Sequence, residues 1–283
     1  MSILMTLEAM PNRIKALAEV ATSENGALRE ELIRRFMPAA EKPDQFKNLL
    51  RETIRLGILE ENKETKIISL GSDISKKQIS NRTDFHELCR TCLVPSDGTE
   101  PTGNESFPRA LAWLLARPTG PHLIVGEEFK GDVLNDLNDD DIYELTNASR
   151  SSILVYWAQA LGFVEWLRFN EKDYCNPDPT RVLAHTLDTI LEKKHPTPIS
   201  SFIEKLGRGL PVFETGRIRN EVEARLKIPR GPDYISRSTS LALSRLELRG
   251  TIKLEHLADA PTLLLSSNEE RDRPVSHITL LKS

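Results

Sequence analysis

The chain has 283 residues, 39% of them hydrophobic and 28% charged, with a formal net charge of −4. That length accommodates two or three small domains with real cores, while the charge excludes a whole-surface attraction to nucleic acid, so any such role needs a local patch. Three cysteines without dense spacing exclude a disulfide framework, and no apolar run reads as a membrane span or export signal, so a cytoplasmic protein is expected.

Ile14, Leu17, Ala18 and Ala21 recur at helical spacing after Pro11 and predict a first helix, broken at Asn25-Gly26. Leu28, Leu32, Ile33 and Phe36 predict a second helix that closes before Pro38. A third follows Lys42-Pro43-Asp44, with Phe46, Leu49, Leu50, Thr53, Ile54 and Leu56 available for a core and Asp44 near its start. Gly57 suits a left-handed exit, after which 59–61 and 66–70 fit a hairpin with 62–65 at its tip.

Residues 94–104 read as a loop, followed by a helix over 108–116 and a shorter one over 133–137. Ile153, Leu154, Trp157, Ala158 and Leu161 predict a helix ending at Gly162, and Phe163, Val164, Trp166 and Leu167 continue as strand. No return strand is evident after Phe169, so Gly162 marks either a shortened wing or an ordinary helix end. Asn176-Pro177-Asp178-Pro179 reads as a boundary. Beyond it, helices are expected over 181–191, 199–206 and 217–226, then one ending at Gly250 and capped by Ser236 or Ser238. Ile252 and Leu254 alternate afterwards; 263–265 and 277–281 are expected to close a long wing with a charged tip at 267–274. Gly57, Gly162 and Gly250 thus occupy comparable helix-to-strand junctions, too widely and unevenly spaced for a solenoid.

RLGILEENKETKIISL at 55–70, the Gly26 break and the helical spacing across 11–70 resemble the winged helix-turn-helix family. The resemblance implies a mainly α fold with small β-hairpins (α+β) in tandem winged helix-turn-helix domains. These are expected at 1–72, at 73–178 (acidic, mainly helical, a degenerate copy) and at 179–283 (with a long wing). It also implies duplex-DNA contact through third helices and wings, although many members bridge proteins instead. The chain's size, its N-terminal RLGILEEN unit and its C-terminal helix–wing unit also resemble the accessory DpdG proteins of bacterial systems that modify or defend DNA with 7-deazapurines. That resemblance implies work beside DNA-modifying enzymes without an autonomous catalytic centre.

Charge is uneven: residues 1–70 balance, 71–180 carry −8 and 181–283 carry +4. Lys47, Arg51 and Arg55 fall four apart on the third helix, with Asn48 and Thr53 as partial readers and Lys63 and Lys66 at the hairpin tip. Arg217, Arg219, Arg237, Ser238, Arg245 and Arg249 form the corresponding C-terminal set, and cations of this kind suit phosphate. Glu52, Glu60, Glu61 and Glu64 either repel DNA or pair with these cations. The expected partners are duplex DNA and proteins of a larger assembly, with no membrane; homodimerisation fits the same reading. A protein-bridging adaptor is the main alternative.

Other chemistry is poorly supported. His86, Cys89 and Cys92, with distant Cys175, have zinc-compatible donors, but Phe85, Leu88, Cys89 and Cys92 also fit an apolar helix face. Asp136, Asp139, Asp140, Asp141 and Glu144 admit a metal-dependent nucleic-acid enzyme as a third alternative, yet the run equally starts a helix. Gly207-Arg208-Gly209 lacks the Lys-Ser/Thr ending of a phosphate loop, and Ser200, Ser201, His185 and His195 lack a nucleophile elbow. Trp113 and Trp157 fit cores. No catalytic residue, metal or cofactor is expected.

Overall fold

The computed structural model describes residues 3–23, 26–36, 43–96, 106–117, 123–137, 145, 148–266 and 272–282. The described residues up to Leu93 form one compact unit and those from Ser106 onward another. The fold is α+β, with small sheets set among helices. Among the described residues, no helix is long and apolar enough to cross a membrane.

The first unit opens with α1 (Pro11–Ser23), β1 (Ala27–Leu28), α2 (Arg29–Phe36) and α3 (Pro43–Arg55). β2 (Leu59–Glu61) and β3 (Ile67–Leu70) follow as a hairpin, and β1 pairs with β3, giving the strand order β1-β3-β2. Ile14, Leu17, Leu32, Phe46, Leu50, Ile58 and Ile68 are buried, so the expected helical stripes do supply the core. Two further helices, α4 (Lys76–Ser80) and α5 (Arg82–Leu93), pack on α1. Ser75 and Gln78 form a reciprocal capping box at the start of α4, and Phe85, Cys89 and Leu93 line the buried face of α5. Residues 76–93 therefore join the first unit, past the boundary expected at 72.

The second unit begins with α6 (Ser106–Ala116), β4 (Leu123–Ile124), α7 (Glu127–Asp136) and α8 (Ala148–Leu161), then β5 (Val164–Phe169) and β6 (Lys172–Pro177). β6 is the return strand that the sequence did not disclose. Asn170 and Glu171 form the two-residue connection, both with positive φ (47° and 61°), as a tight hairpin turn requires. The chain continues through α9 (Thr180–Ile190), β7 (Thr197–Pro198), α10 (Ile199–Gly209), α11 (Arg217–Glu223), β8 (Tyr234–Ile235) and α12 (Arg237–Leu248). β9 (Ile252–Glu255), β10 (Leu263–Leu265), β11 (Arg273–Val275) and β12 (His277–Leu280) complete it. β12 pairs with β9 and β7, whereas β10 pairs with β8 and β11 in a separate sheet. The expected closure of 263–265 against 277–281 is thus corrected: β12 lies between β9 and β7.

One strand order occurs three times: β1-β3-β2, β4-β6-β5 and β7-β12-β9. In each sheet the short early strand pairs with the last, which pairs with the strand that follows the preceding helix.

The two segments of the second unit share a helix. α6 buries Phe107, Pro108 and every residue from Ala110 to Ala116, because FPRALAWLLA offers almost no polar face. It packs against α8 on one side and against α11 and α12 of the following segment. Arg109 Nε lies 2.8 Å from Glu221, Lys227 N donates to Asp136 O at 2.9 Å, and Arg245 bonds both Asp178 and Glu165. Asp178 is buried and accepts the Thr180 N–H at 3.0 Å, so the boundary expected near 178 lies inside one packed unit.

The three junction glycines share one geometry. Gly57, Gly162 and Gly250 have φ of 72°, 93° and 67°, and the next residue donates its N–H five residues back: Ile58 to Thr53, Phe163 to Ala158, Thr251 to Leu246. This is a Schellman closure, which satisfies orphan carbonyls while turning the chain into a strand. No neighbour lies within 4 Å of a Cβ built on Gly57 or Gly250, so only the backbone conformation resists substitution. Gly57→Ala and Gly250→Ala are expected to cost about 1–2 kcal/mol each. Gly131→Ala, in α7 with open space and no positive φ, should stabilise by about 0.5–1 kcal/mol. Urea midpoints of the three variants check both signs.

Candidate nucleic-acid interface

α3 is amphipathic because its apolar residues recur at helical spacing. Phe46, Leu49, Leu50, Thr53 and Leu56 are buried; Lys47 and Arg51 are exposed, with Asn48 and Arg55 half-buried. The Thr53 hydroxyl donates to Leu49 O at 2.8 Å within the helix, which removes it as a reader of bases. Lys47 Nζ lies 2.9 Å from Asp44 on the surface. Glu52 does not face outward: it is fully buried, with Arg51 Nε 3.3 Å from one oxygen and Arg55 paired to the other. Arg55 is therefore half of a structural pair beneath the stripe.

The β2–β3 tip is organised by Asn62, whose Oδ1 accepts the N–H groups of Glu64 and Thr65, both at 2.9 Å. Lys66 takes a left-handed φ of 59°, and Lys63 and Lys66 are both exposed. Glu60 and Glu64 are exposed beside them, while Glu61 pairs with Arg29 at 3.0 Å.

The C-terminal set separates. Arg217 and Arg249 are exposed and Arg237 is half-buried. Ser238 is buried and donates to Leu115 O at 2.8 Å, and Arg219 is fully buried, 2.8 Å from Glu223. Both are corrections, since neither side chain can reach a duplex from these positions. Arg245 is held by Asp178 and Glu165 across the unit. Helical spacing could not separate these roles, because the covering elements come from distant parts of the chain. Spacing also missed Lys193, Lys194 and Lys282, which the fold brings beside the end of α12.

Arg219 belongs to a buried polar cluster. Ser236 N–H and Thr239 Oγ1 donate to the Glu214 carboxylate at 2.8 and 2.9 Å. Burial alone would raise the Glu214 carboxyl, but Arg219 and the donated bonds hold it below the usual range.

The proposed metal donors are dispersed. Cys89 is buried on α5 with its thiol pushed up mainly by burial, Cys92 is raised to about 11, and Cys175 lies on β6 in the other unit. Among the described residues, no group of three or more His, Cys, Asp or Glu side chains could hold a metal. Asp136 accepts from Trp113 Nε1 at 3.2 Å and pairs with Arg117 at 3.0 Å; burial nevertheless raises its carboxyl. Asp139, Asp140, Asp141 and Glu144 lie outside the described residues. Trp113 and Trp157 are fully buried.

A family model described as DpdG-like matches residues 1–260. No curated protein matches the chain, and no solved structure does.

Reversing Arg55 would place a second carboxylate against buried Glu52. Arg55→Glu is expected to destabilise the first unit by about 3–5 kcal/mol, whereas exposed Lys47→Glu should change it by less than about 1 kcal/mol; thermal melts distinguish them. Glu214 has a lowered folded pKa, so its contribution is complete above the ordinary glutamate value and declines as pH falls through the folded value. Glu214→Gln should remove that part of the acid sensitivity in pH-dependent unfolding, and should lower stability near neutrality.

Proposed function

The chain belongs to the DpdG-like family, and on that premise we propose a non-catalytic accessory protein of a DNA modification or phage-defence assembly. It docks on duplex DNA through α3 and the β2–β3 hairpin of its first unit, read as a winged helix with α3 as the groove-facing helix. One observation carries this reading: α3 presents Lys47 and Arg51 to solvent, and the hairpin that follows presents Lys63 and Lys66. Cations on both elements can engage neighbouring phosphates, while Asn48 and Arg51 are the side chains suited to base edges. α12 contributes no comparable face, because Ser238, Thr239 and Ser240 are buried.

A protein-bridging role is the second reading, and the β5–β6 hairpin favours it. That hairpin exposes Leu167 and Phe169, the latter 66% accessible, beside Glu165 and Glu171. Exposed apolar side chains among mixed charges, with Arg168 and Lys172 beside the carboxylates, suit a protein partner.

Anisotropy of a labelled duplex, titrated across a salt series, tests the DNA reading. The variant Lys47→Glu/Lys63→Glu/Lys66→Glu keeps both Arg51 and Arg55 and so leaves the Glu52 pairing in place. It should lose at least about tenfold in affinity at low salt, and its log–log salt slope should flatten by about one per contact removed. Absence of wild-type binding at low salt, or an unchanged slope in the variant, would refute it.

A further inference from the structure

The end of β12 gathers three corners of the second unit. Lys194 N donates to Leu280 O at 2.9 Å, and Lys193 bridges Leu280 on the side away from β9. Leu281 N and Lys282 N both donate to Thr251 O, at 2.8 and 3.2 Å, two residues beyond Arg249. The α9–β7 corner, the α12–β9 corner and the segment after β12 are thus fixed around one point. Lys193, Lys194, His195, Arg249 and Lys282 are all exposed there. No ion pair or side-chain hydrogen bond holds Lys193, Lys194, Arg249 or Lys282 among the described residues; Glu192 adjoins Lys193 in the chain, and Glu247, two residues before Arg249, is paired with Arg273. Lys194 is locked in a left-handed conformation with φ of 59°, so this corner is shaped by the fold.

We propose that this patch is a second binding surface for the phosphodiester backbone of duplex DNA. Each of these cations lies at, or within two residues of, the backbone contacts made by Leu280 and Thr251, so the four cluster at one corner of the unit. Duplex DNA presents one charge per roughly 1.7 Å of axis, a density that three or four clustered cations can engage at once. Their side chains are mostly lysine on turns at the ends of helices rather than along an outward helix face, so the patch grips the backbone without reading sequence. The two ends of α12 then play different parts: its first turns are covered by α6, and its last residue borders the phosphate surface. Each compact unit then carries one phosphate-binding patch.

The proposal rests on the duplex-DNA reading above but uses different residues, so the two can fail separately. The probe is a labelled 30-base-pair duplex, titrated across a salt series with the full chain. Lys193→Ala/Lys194→Ala/Arg249→Ala/Lys282→Ala should bind at least about tenfold more weakly at low salt, with the slope shallower by about two to four. Lys193→Arg/Lys194→Arg/Lys282→Arg should bind as the parent does, since charge is kept. Unchanged melting curves for both variants would exclude loss of fold as the cause. Parental affinity and slope in the alanine variant overturn the patch, even where the α3 and hairpin reversal weakens binding. Weakened binding in the alanine variant alone supports the patch and removes the α3 surface. No binding by the parent chain at low salt overturns both.

Discussion

A helix without a polar side has to be enclosed, and α6 imposes that constraint on the second unit. Phe107, Leu111, Trp113, Leu114 and Leu115 point in several directions around its axis and are all buried. α8 covers part of this surface; α11 and α12 cover more. α12 precedes the last hairpin and would otherwise offer an outward face, but its opening turns serve as a wall. Uncovering four or five such side chains costs on the order of 10 kcal/mol. A typical specific DNA complex gains only about 4–10 kcal/mol over non-specific binding. Freeing α12 to act as a groove helix would consume a gain of that size.

The same packing changes the meaning of the charge asymmetry. The −8 of residues 71–180 and the +4 of 181–283 read as an acidic and a basic surface in the sequence. In the fold, opposite charges from those segments meet: Arg109 with Glu221, Arg245 with Glu165 and Asp178. Such pairs orient neighbouring elements more reliably than they stabilise them, because desolvation offsets much of the attraction. The field available to a polyanion is set by the cations left outside these pairs.

Local signals were legible and pairing was not. The glycine junctions were readable because a Schellman closure needs only a positive φ and a preceding helix, both local to the sequence. The first hairpin was readable for a similar reason, since Asn62 closes its own turn. β6 escaped notice because KDYCNP has weak strand propensity; pairing with β5 and β4 makes it a strand. The β12 partner was misassigned because 263–265 is the more apolar segment, Leu-Leu-Leu against Ile-Lys-Leu-Glu at 252–255, and apolarity does not decide pairing. Arg219 and Ser238 were read as surface residues because a basic or small polar side chain looks the same in sequence whether exposed or covered. Glu52 was read as either repelling DNA or pairing with nearby cations, and it pairs, buried against Arg51 and Arg55.

Several arginines are used within the fold: Arg55 on Glu52, Arg219 on Glu223 beside Glu214, Arg245 on Asp178. A planar guanidinium with several fixed donors suits that task, since it can satisfy a carboxylate with little further ordering. The exposed positions at the β2–β3 tip and around the end of β12 are mainly lysine: Lys63, Lys66, Lys193, Lys194 and Lys282. A strongly hydrated ammonium on a flexible stem attracts phosphate at many angles but does not match a base edge. On the proposed DNA reading, the residues left to read sequence are few, Asn48 and Arg51 on α3. A protein with such a surface would follow the backbone of a duplex more readily than it would select a site, and choosing where a proposed assembly acts would fall to its other components.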